Sequence, residues 1–154
     1  MRIFSILLAI GCLSLLSCRK DVLSPEEQLA KDISIIEDYL NAKGLVAQST
    51  PSGLHYIITK EGTGNRPTAN STVTVEYTGY LTDGTVFDKT ALGQTAMFPL
   101  KNLIKGWQEG IPLLNRDGQA KLLVPSALGY GPEGSGSIPG NTVLIFDIQL
   151  DDFF

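Results

Sequence analysis

An α+β fold, an antiparallel sheet whose apolar face is covered by one short helix, is predicted by three features of the chain. After residue 50 the apolar residues alternate with polar ones instead of recurring every third or fourth position, which is strand periodicity. The strand-like runs follow one another with short turns between them, the habit of antiparallel sheets. Only one stretch of that region, around Trp107, has the length and punctuation of a helix, so it must cover the apolar face of the sheet. With 154 residues of ordinary globular composition there is room for one core and extensions at its ends.

Composition removes several function classes. The chain carries 12 basic and 16 acidic residues and no Lys/Arg cluster of the kind that follows a phosphate backbone, which argues against a nucleic-acid partner. Its two cysteines, Cys12 and Cys18, lie in the first eighteen residues. None remains in the body for a disulfide, a thiolate nucleophile or a metal site. The single histidine, His55, alternates with Leu54 and Tyr56 in a strand-like run and reads as a face residue, not a ligand. No metal or other cofactor is expected.

Met1-Arg2 precedes an almost continuous apolar run, Ile3 to Leu16, shorter than the ~20 residues of a membrane-spanning helix and suited to an export signal. A short uncleaved anchor is the rival reading. Leu15-Leu16-Ser17-Cys18 resembles the lipobox of bacterial lipoproteins, in which the cysteine is lipidated and becomes the mature amino terminus. Ala9-Ile10-Gly11-Cys12 is a poorer version that would leave too short an apolar core. Residues 1–17 are therefore expected to be a signal peptide and Cys18 a lipid attachment site. Removing them takes away Arg2 and no acidic residue, so acyl chains, not charge, would hold the protein to a membrane. The implied location is a bacterial cell envelope, with the anchor in the outer membrane facing the periplasm or the cell surface.

Residues 18–49 read as a tether and an amphipathic helix. Ser24-Pro25-Glu26-Glu27 supplies an N-cap serine, a proline at the first helical position and a glutamate three residues after the cap. Leu29, Ile33, Ile36 and Leu40 then lay one apolar stripe along a helix ending near Lys43, with Gly44 as its stop. The stripe can pack on the following domain or pair residues 24–43 with a second copy. Packing within the chain is the preferred use.

The main domain is placed at residues 50–154. Gln48 to Gly53 is a polar, turn-rich lead-in, Leu54–Lys60 a strand, and Gly62–Pro67 a loop. Thr72–Tyr80 is a strand with Val73, Val75 and Tyr77 on one face. The Asp83-Gly84 pair turns it into a hairpin that returns through Val86-Phe87-Asp88. A short helix carries Trp107, limited by Pro112. Ala120, Leu122 and Val124 mark another strand, and Val143–Leu150 the last. Between these two, residues 128–141 hold five glycines and two prolines, too many for regular structure, together with Tyr130 and Ile138. Long ordered loops of this kind often carry function.

Ile104-Lys105-Gly106-Trp107-Gln108-Glu109-Gly110 places the only tryptophan between two glycines, which let backbone approach closely while the indole offers a broad apolar surface. By itself the tryptophan reads either as a core-filling residue or as the floor of a pocket, and the motifs around it favour the floor. Together with Val75-Glu76-Tyr77-Thr78-Gly79-Tyr80-Leu81, Asp83-Gly84, Phe87-Asp88, Leu128-Gly129-Tyr130-Gly131, Ile138-Pro139 and Leu144-Ile145-Phe146-Asp147, this stretch resembles the FKBP-type peptidyl-prolyl cis-trans isomerases. The resemblance covers roughly residues 50 to 154. It implies a five- or six-stranded antiparallel half-barrel around one short helix, with an apolar pocket between them. Matched position by position, Tyr77, Phe87, Asp88, Phe98, Leu103, Ile104, Trp107, Tyr130, Ile138 and Phe146 would line that pocket. Ala96, where many members have another aromatic, and Ser137, where an apolar residue is frequent, depart from the commoner pattern. They bear on peptide preference and on affinity for macrolide inhibitors more than on the fold.

The activity implied is rotation of X-Pro bonds in proline-containing polypeptides. The barrier of ~20 kcal/mol is the resonance of the amide, so a catalyst must favour the twisted form over both planar ones and needs no nucleophile. The resemblance gives Phe87 a wall, Trp107 the floor, and the Ile138 N–H and the Tyr130 hydroxyl the substrate carbonyls. Asp88 either orients the rim or faces the twisted carbonyl, unless it merely ends a hairpin. Because the aromatic wall, Tyr130 and Asp88 are all present, catalysis is preferred over a non-catalytic binding module or a holdase.

Overall fold

The computed structural model describes residues 23–154; the signal-peptide and lipidation readings, including Cys12 and Cys18, lie outside the described residues. Helix α1 spans Pro25–Lys43. The Ser24 hydroxyl accepts the Glu27 N–H, and the Glu27 carboxylate accepts the Ser24 N–H at 2.8 Å; since Pro25 has no N–H, two of the three orphan donors of the first turn are satisfied. Gly44, in the left-handed region at φ 63°, closes the helix, and both it and Leu45 return N–H groups to the last carbonyls.

Seven strands follow: β1 (Gln48–Ser49), β2 (His55–Lys60), β3 (Thr72–Tyr80), β4 (Val86–Lys89), β5 (Ala96–Pro99), β6 (Gln119–Val124) and β7 (Leu144–Phe153). A short helix, α2 (Lys105–Gly110), sits between β5 and β6. The sheet runs β1-β2-β6-β7-β3-β4, with β5 also on β3, and each pairing is antiparallel. Strand β3 is shared along one edge: its first half (Thr72–Val75) pairs with β5 and its last residues (Thr78–Tyr80) with β4, while β7 lies along the other edge. This is the expected antiparallel open sheet around a short helix, with more strands than the five or six anticipated. The additions are β1, which lies just before residue 50, and β5, whose Ala-Met-Phe-Pro run has no alternation of its own and becomes a strand because β3 offers it a partner.

The inner face of the sheet carries Val73, Val75, Ala120, Leu122, Val124, Leu144, Phe146, Ile148 and Leu150, all buried with Trp107, Ile111 and Leu114 from the covering segment. Helix α2 approaches this face through glycine. A Cβ on Gly106 would lie 2.5 Å from Val124 Cγ1, and one on Gly110 would lie 2.6 Å from Leu122 Cδ1. The two glycines are four apart on the helix and their contacts are two apart on β6, so one helix face meets one sheet face. Pro112 does not stop the chain at once: Ile111–Leu113 continue as a 3-10 turn, where the proline occupies a position that needs no N–H.

The sequence supplies one covering helix to this domain, but the outer face of the sheet is also covered at one end. Ile36 and Leu40 of α1 are buried with Leu123, Val143 and Ile145, the outward-facing residues of β6 and β7 and the residue before it. Leu29 and Ile33 complete the stripe over Gly53, whose backbone is at φ 88° and whose missing side chain leaves room for Leu29 Cδ1. The apolar stripe of α1 is thus used within the molecule. Among the described residues no helix is long and apolar enough to cross a membrane.

Because Gly106 and Gly110 set the spacing between α2 and β6, Gly106→Ala and Gly110→Ala should each destabilise the fold by about 1–3 kcal/mol through overpacking. Urea titration checks this: the midpoint should fall while the m-value stays that of the parent.

Candidate active site

Trp107 is held from three sides, which explains why a helix of six residues suffices to aim it. Gly106 and Gly110 press on β6 as described. The Glu109 carboxylate accepts the Ser52 hydroxyl at 2.8 and 2.9 Å, tying α2 to the turn before β2. Gln108 Nε2 donates to the Leu103 carbonyl at 2.7 Å and, at 3.3 Å, to that of Lys101, bracing the segment that precedes the helix. Lys105-Gly-Trp-Gln-Glu-Gly therefore leaves the indole as the one side chain of this segment turned fully into the core, 4% exposed.

Around the indole stand aromatic rings from three strands. Tyr77 of β3 lies 5.0 Å away by centroid, Phe146 of β7 at 5.3 Å and Phe98 of β5 at 6.3 Å, all within 8° of perpendicular. Phe87 of β4 packs edge-on against Phe146 at 5.6 Å. Edge-to-face contacts place the positive rim of one ring on the negative face of another and fix ring orientation as well as distance. Phe87 and Phe146 come close because Gly79 lies beneath them: a Cβ there would be 2.6 Å from Phe87 and 2.9 Å from Phe146. The indole N–H meets no acceptor among the described residues, so packing alone orients the ring.

These rings enclose a cavity of about 230 Å³ lined by Tyr77, Phe87, Asp88, Phe98, Asn102, Leu103, Ile104, Trp107, Tyr130 and Phe146. The structure brings together nine of the ten residues that the resemblance assigned to a pocket. Ile138 is the exception and a correction. Its side chain is 8% exposed within the core cluster, and its N–H donates to the Ser135 carbonyl at 2.9 Å, in a small bridge that Ser135 N–H and the Ile138 carbonyl complete. A donor already used in this way is not free for a ligand. A free N–H does exist at the cavity edge, on Ile104, the residue before α2: it is paired with no acceptor among the described residues, because the first N–H groups of a helix have no partner within it. The helix start at Lys105 was the signal that could have found it. Asn102, at the same edge, was also missed; an exposed polar residue in a turn carries no pattern to notice.

The polar side of the cavity is organised by Asp88. The Tyr77 hydroxyl donates to Asp88 Oδ2 at 2.6 Å, which gives the carboxylate a fixed place on β4. Burial, then the hydrogen bond to Asp88, pushes the Tyr77 phenol well above the usual tyrosine range. Tyr130, 39% exposed at the cavity mouth, is raised as well, by burial first and by the Asp88 charge second. Both phenols therefore stay protonated and able to donate throughout the neutral range. His55 lies apart, its Nδ1 2.9 Å from the Gly53 carbonyl, and no group of His, Cys, Asp or Glu among the described residues could hold a metal ion.

An apolar cavity floored by tryptophan, walled by four other aromatics and rimmed by tyrosine and aspartate is accompanied by a match of residues 64–151, more than half of the chain, to the family model for FKBP-type peptidyl-prolyl cis-trans isomerases. The chain belongs to that family. This FKBP-type chain is 50% identical over 117 residues to the FKBP-type peptidyl-prolyl cis-trans isomerase FkpA of Aeromonas hydrophila, covering 74% of this chain and 44% of that protein. It is 42% identical over 127 residues to the outer membrane protein MIP of Legionella longbeachae, covering 81% and 54%. The crystal structure of FkpA from Escherichia coli superposes with a TM-score of 0.73 at 35% identity, covering 83% of this chain and 60% of that one. The chain spans about half the length of these two curated relatives.

The raised phenols make an alkaline prediction. The folded chain holds the protons of Tyr77 and Tyr130 more tightly than the unfolded chain, whose tyrosines titrate near 10.0. Stability is then complete below that value and falls as pH rises through it. Urea midpoints measured from about pH 9 to 11 should decline, and Tyr77→Phe should flatten the decline.

Proposed function

We propose that this protein is a peptidyl-prolyl cis-trans isomerase that accelerates X-Pro rotation in exported polypeptides by stabilising the twisted amide without covalent chemistry. The observation that carries this reading is the convergence of five aromatic rings and two free donors on one small cavity. A proline ring rests on Trp107, with Phe87, Phe98 and Phe146 around it. The planar amide is strongly dipolar and well solvated; the twisted one is less so, and an apolar, water-poor cavity penalises the planar form more. The Ile104 N–H and the Tyr130 hydroxyl hold substrate carbonyls on either side of the bond. Asp88, fixed by Tyr77, keeps the rim polar and faces the carbonyl that turns. No ATP, metal or nucleophile enters the scheme.

Two sets of substitutions test it with a protease-coupled proline-peptide assay. Phe87→Ala and Asp88→Ala should each lower kcat/KM severalfold or more in a folded protein, each tenfold corresponding to ~1.4 kcal/mol. Ile104→Pro tests the main-chain donor. Ile104 sits at φ −59° and Leu103 at φ −93°, ψ 173°, a conformation suited to proline and to the residue before it. The substitution thus deletes the N–H with little change in backbone. It should cost more activity than Ile104→Ala, which loses side chain only; equal losses would remove the N–H from the scheme, and wild-type rates in both Phe87→Ala and Asp88→Ala would remove the site.

The setting proposed is the cell envelope, with Cys18 carrying lipid; a relative named an outer membrane protein supports the location. Wild-type cells fed labelled palmitate should label the protein and Cys18→Ala should not; label retained in that variant would place the lipid elsewhere. Self-association through residues 24–43 has little apolar surface left to drive it, since Ile36 and Leu40 are covered, and a monomer is expected by sedimentation of the lipid-free chain. Macrolides would compete with peptide for the same cavity.

A further inference from the structure

Tyr130 reaches the cavity from a loop that is rich in glycine, whose own backbone leaves more conformations open than other residues would. Its neighbours are anchored from outside the loop. Asp32, midway along α1, is completely buried, and its Oδ2 accepts both the N–H and the hydroxyl of Ser126, at 2.7 and 2.6 Å. Its Oδ1 accepts Gln28 Nε2 at 2.7 Å. Ser126, 1% exposed, opens the 3-10 turn Ser126–Leu128 after β6. The Ser126 carbonyl in turn accepts the N–H groups of Gly129, at 3.0 Å, and Gly131, at 2.8 Å, the residues on either side of Tyr130. The Gly131 carbonyl accepts the Asn141 N–H at 2.8 Å, closing the far end of the loop.

A buried carboxylate is a poor device for merely attaching a helix. The apolar stripe of α1 already attaches it, and an apolar residue in place of a buried charge is often neutral or stabilising. What the carboxylate supplies is direction: two donors of one residue on one oxygen fix both the position and the rotation of Ser126. We propose that Asp32 is a positioning residue for Tyr130, acting through Ser126 and the two glycines, so that α1 is part of the catalytic unit. This rests on the reading of Tyr130 as a substrate-carbonyl donor.

The test uses the full chain, with Asp32→Ala, Asp32→Asn and Ser126→Ala made alone and combined with Tyr130→Phe. Folding is followed by urea titration, kcat/KM by the proline-peptide assay, and the Gly129 and Gly131 amides by hydrogen exchange. In folded Asp32→Ala, kcat/KM should fall about threefold to tenfold, and by nothing further in the Tyr130→Phe background. Asp32→Asn, which keeps an oxygen towards Ser126, should recover most of the activity. The two glycine amides should exchange faster in Asp32→Ala than in the parent. If Asp32→Ala does not fold, Ser126→Ala, which removes only the hydroxyl donor, should show a smaller loss that Tyr130→Phe likewise absorbs. Wild-type kcat/KM in the folded variant, or losses that multiply with that of Tyr130→Phe, would overturn the proposal. Should Tyr130→Phe alone keep the parent rate, the donor role of Tyr130 fails; the relay then stands or falls on the glycine amides, with unchanged exchange overturning it.

Discussion

The constraint on which the cavity depends is the contact of α2 with β6, where Gly106 and Gly110 meet Val124 and Leu122 with no room for a methyl group. Everything in the cavity is measured from it. Were the helix lifted by the thickness of a side chain, the indole would leave the edges of Tyr77 and Phe146, and the floor would part from its walls. Interiors packed at crystal-like density do not absorb such shifts locally. Gln108 and Glu109 add directional bonds to the same six residues, so the glycines set the distance and the polar neighbours set the rotation.

The cavity that results is apolar where a ring would sit and polar only along its edge. Each polar group at that edge is held by something other than a ligand: Asp88 by the Tyr77 hydroxyl, the Ile104 N–H by the start of α2, Tyr130 by its flanking glycines. Donors fixed beforehand lose little freedom on binding, and on the proposed mechanism they would need no reorganisation as the amide twists. Such preorganisation suits a reaction in which no bond is made and only relative solvation and hydrogen bonding can change.

Helix α1 shows how one element serves two ends. Its apolar stripe covers the outer face of β6 and β7, while Asp32, four residues before Ile36 and so on the same side, reaches past the sheet to the turn that follows β6. The outer face beside it is polar and paired: Lys121 meets Asp147 and the Tyr80 hydroxyl, and the Tyr80 phenol is pushed upward by burial and by the Asp147 charge. The apolar seam under α1 is thus flanked by a charged pair.

Most of the frame was readable from the chain alone because it depends on local chemistry. The capping box at Ser24, the stop at Gly44, the Asp83-Gly84 hairpin and the alternation of β3 are set by residues within a few positions of one another. The aromatic positions, too, followed from motifs in a fixed order. What sequence could not supply were matters settled by distant partners. Strand β5 exists because β3 leaves it an edge; Gly79 matters because Phe87 and Phe146 cross above it; and the free rim donor is Ile104, not Ile138, because a turn closes on the latter. Asp32 is the extreme case, an ordinary polar residue on a helix until Ser126, 94 positions away, is laid against it. The chain by itself determined which surfaces must be buried and where it must turn, since hydrophobic periodicity and backbone conformation are properties of short segments. Tertiary structure alone decided which donors remain unpaired, since a hydrogen bond is satisfied only by the partner that folding brings within 3 Å or so.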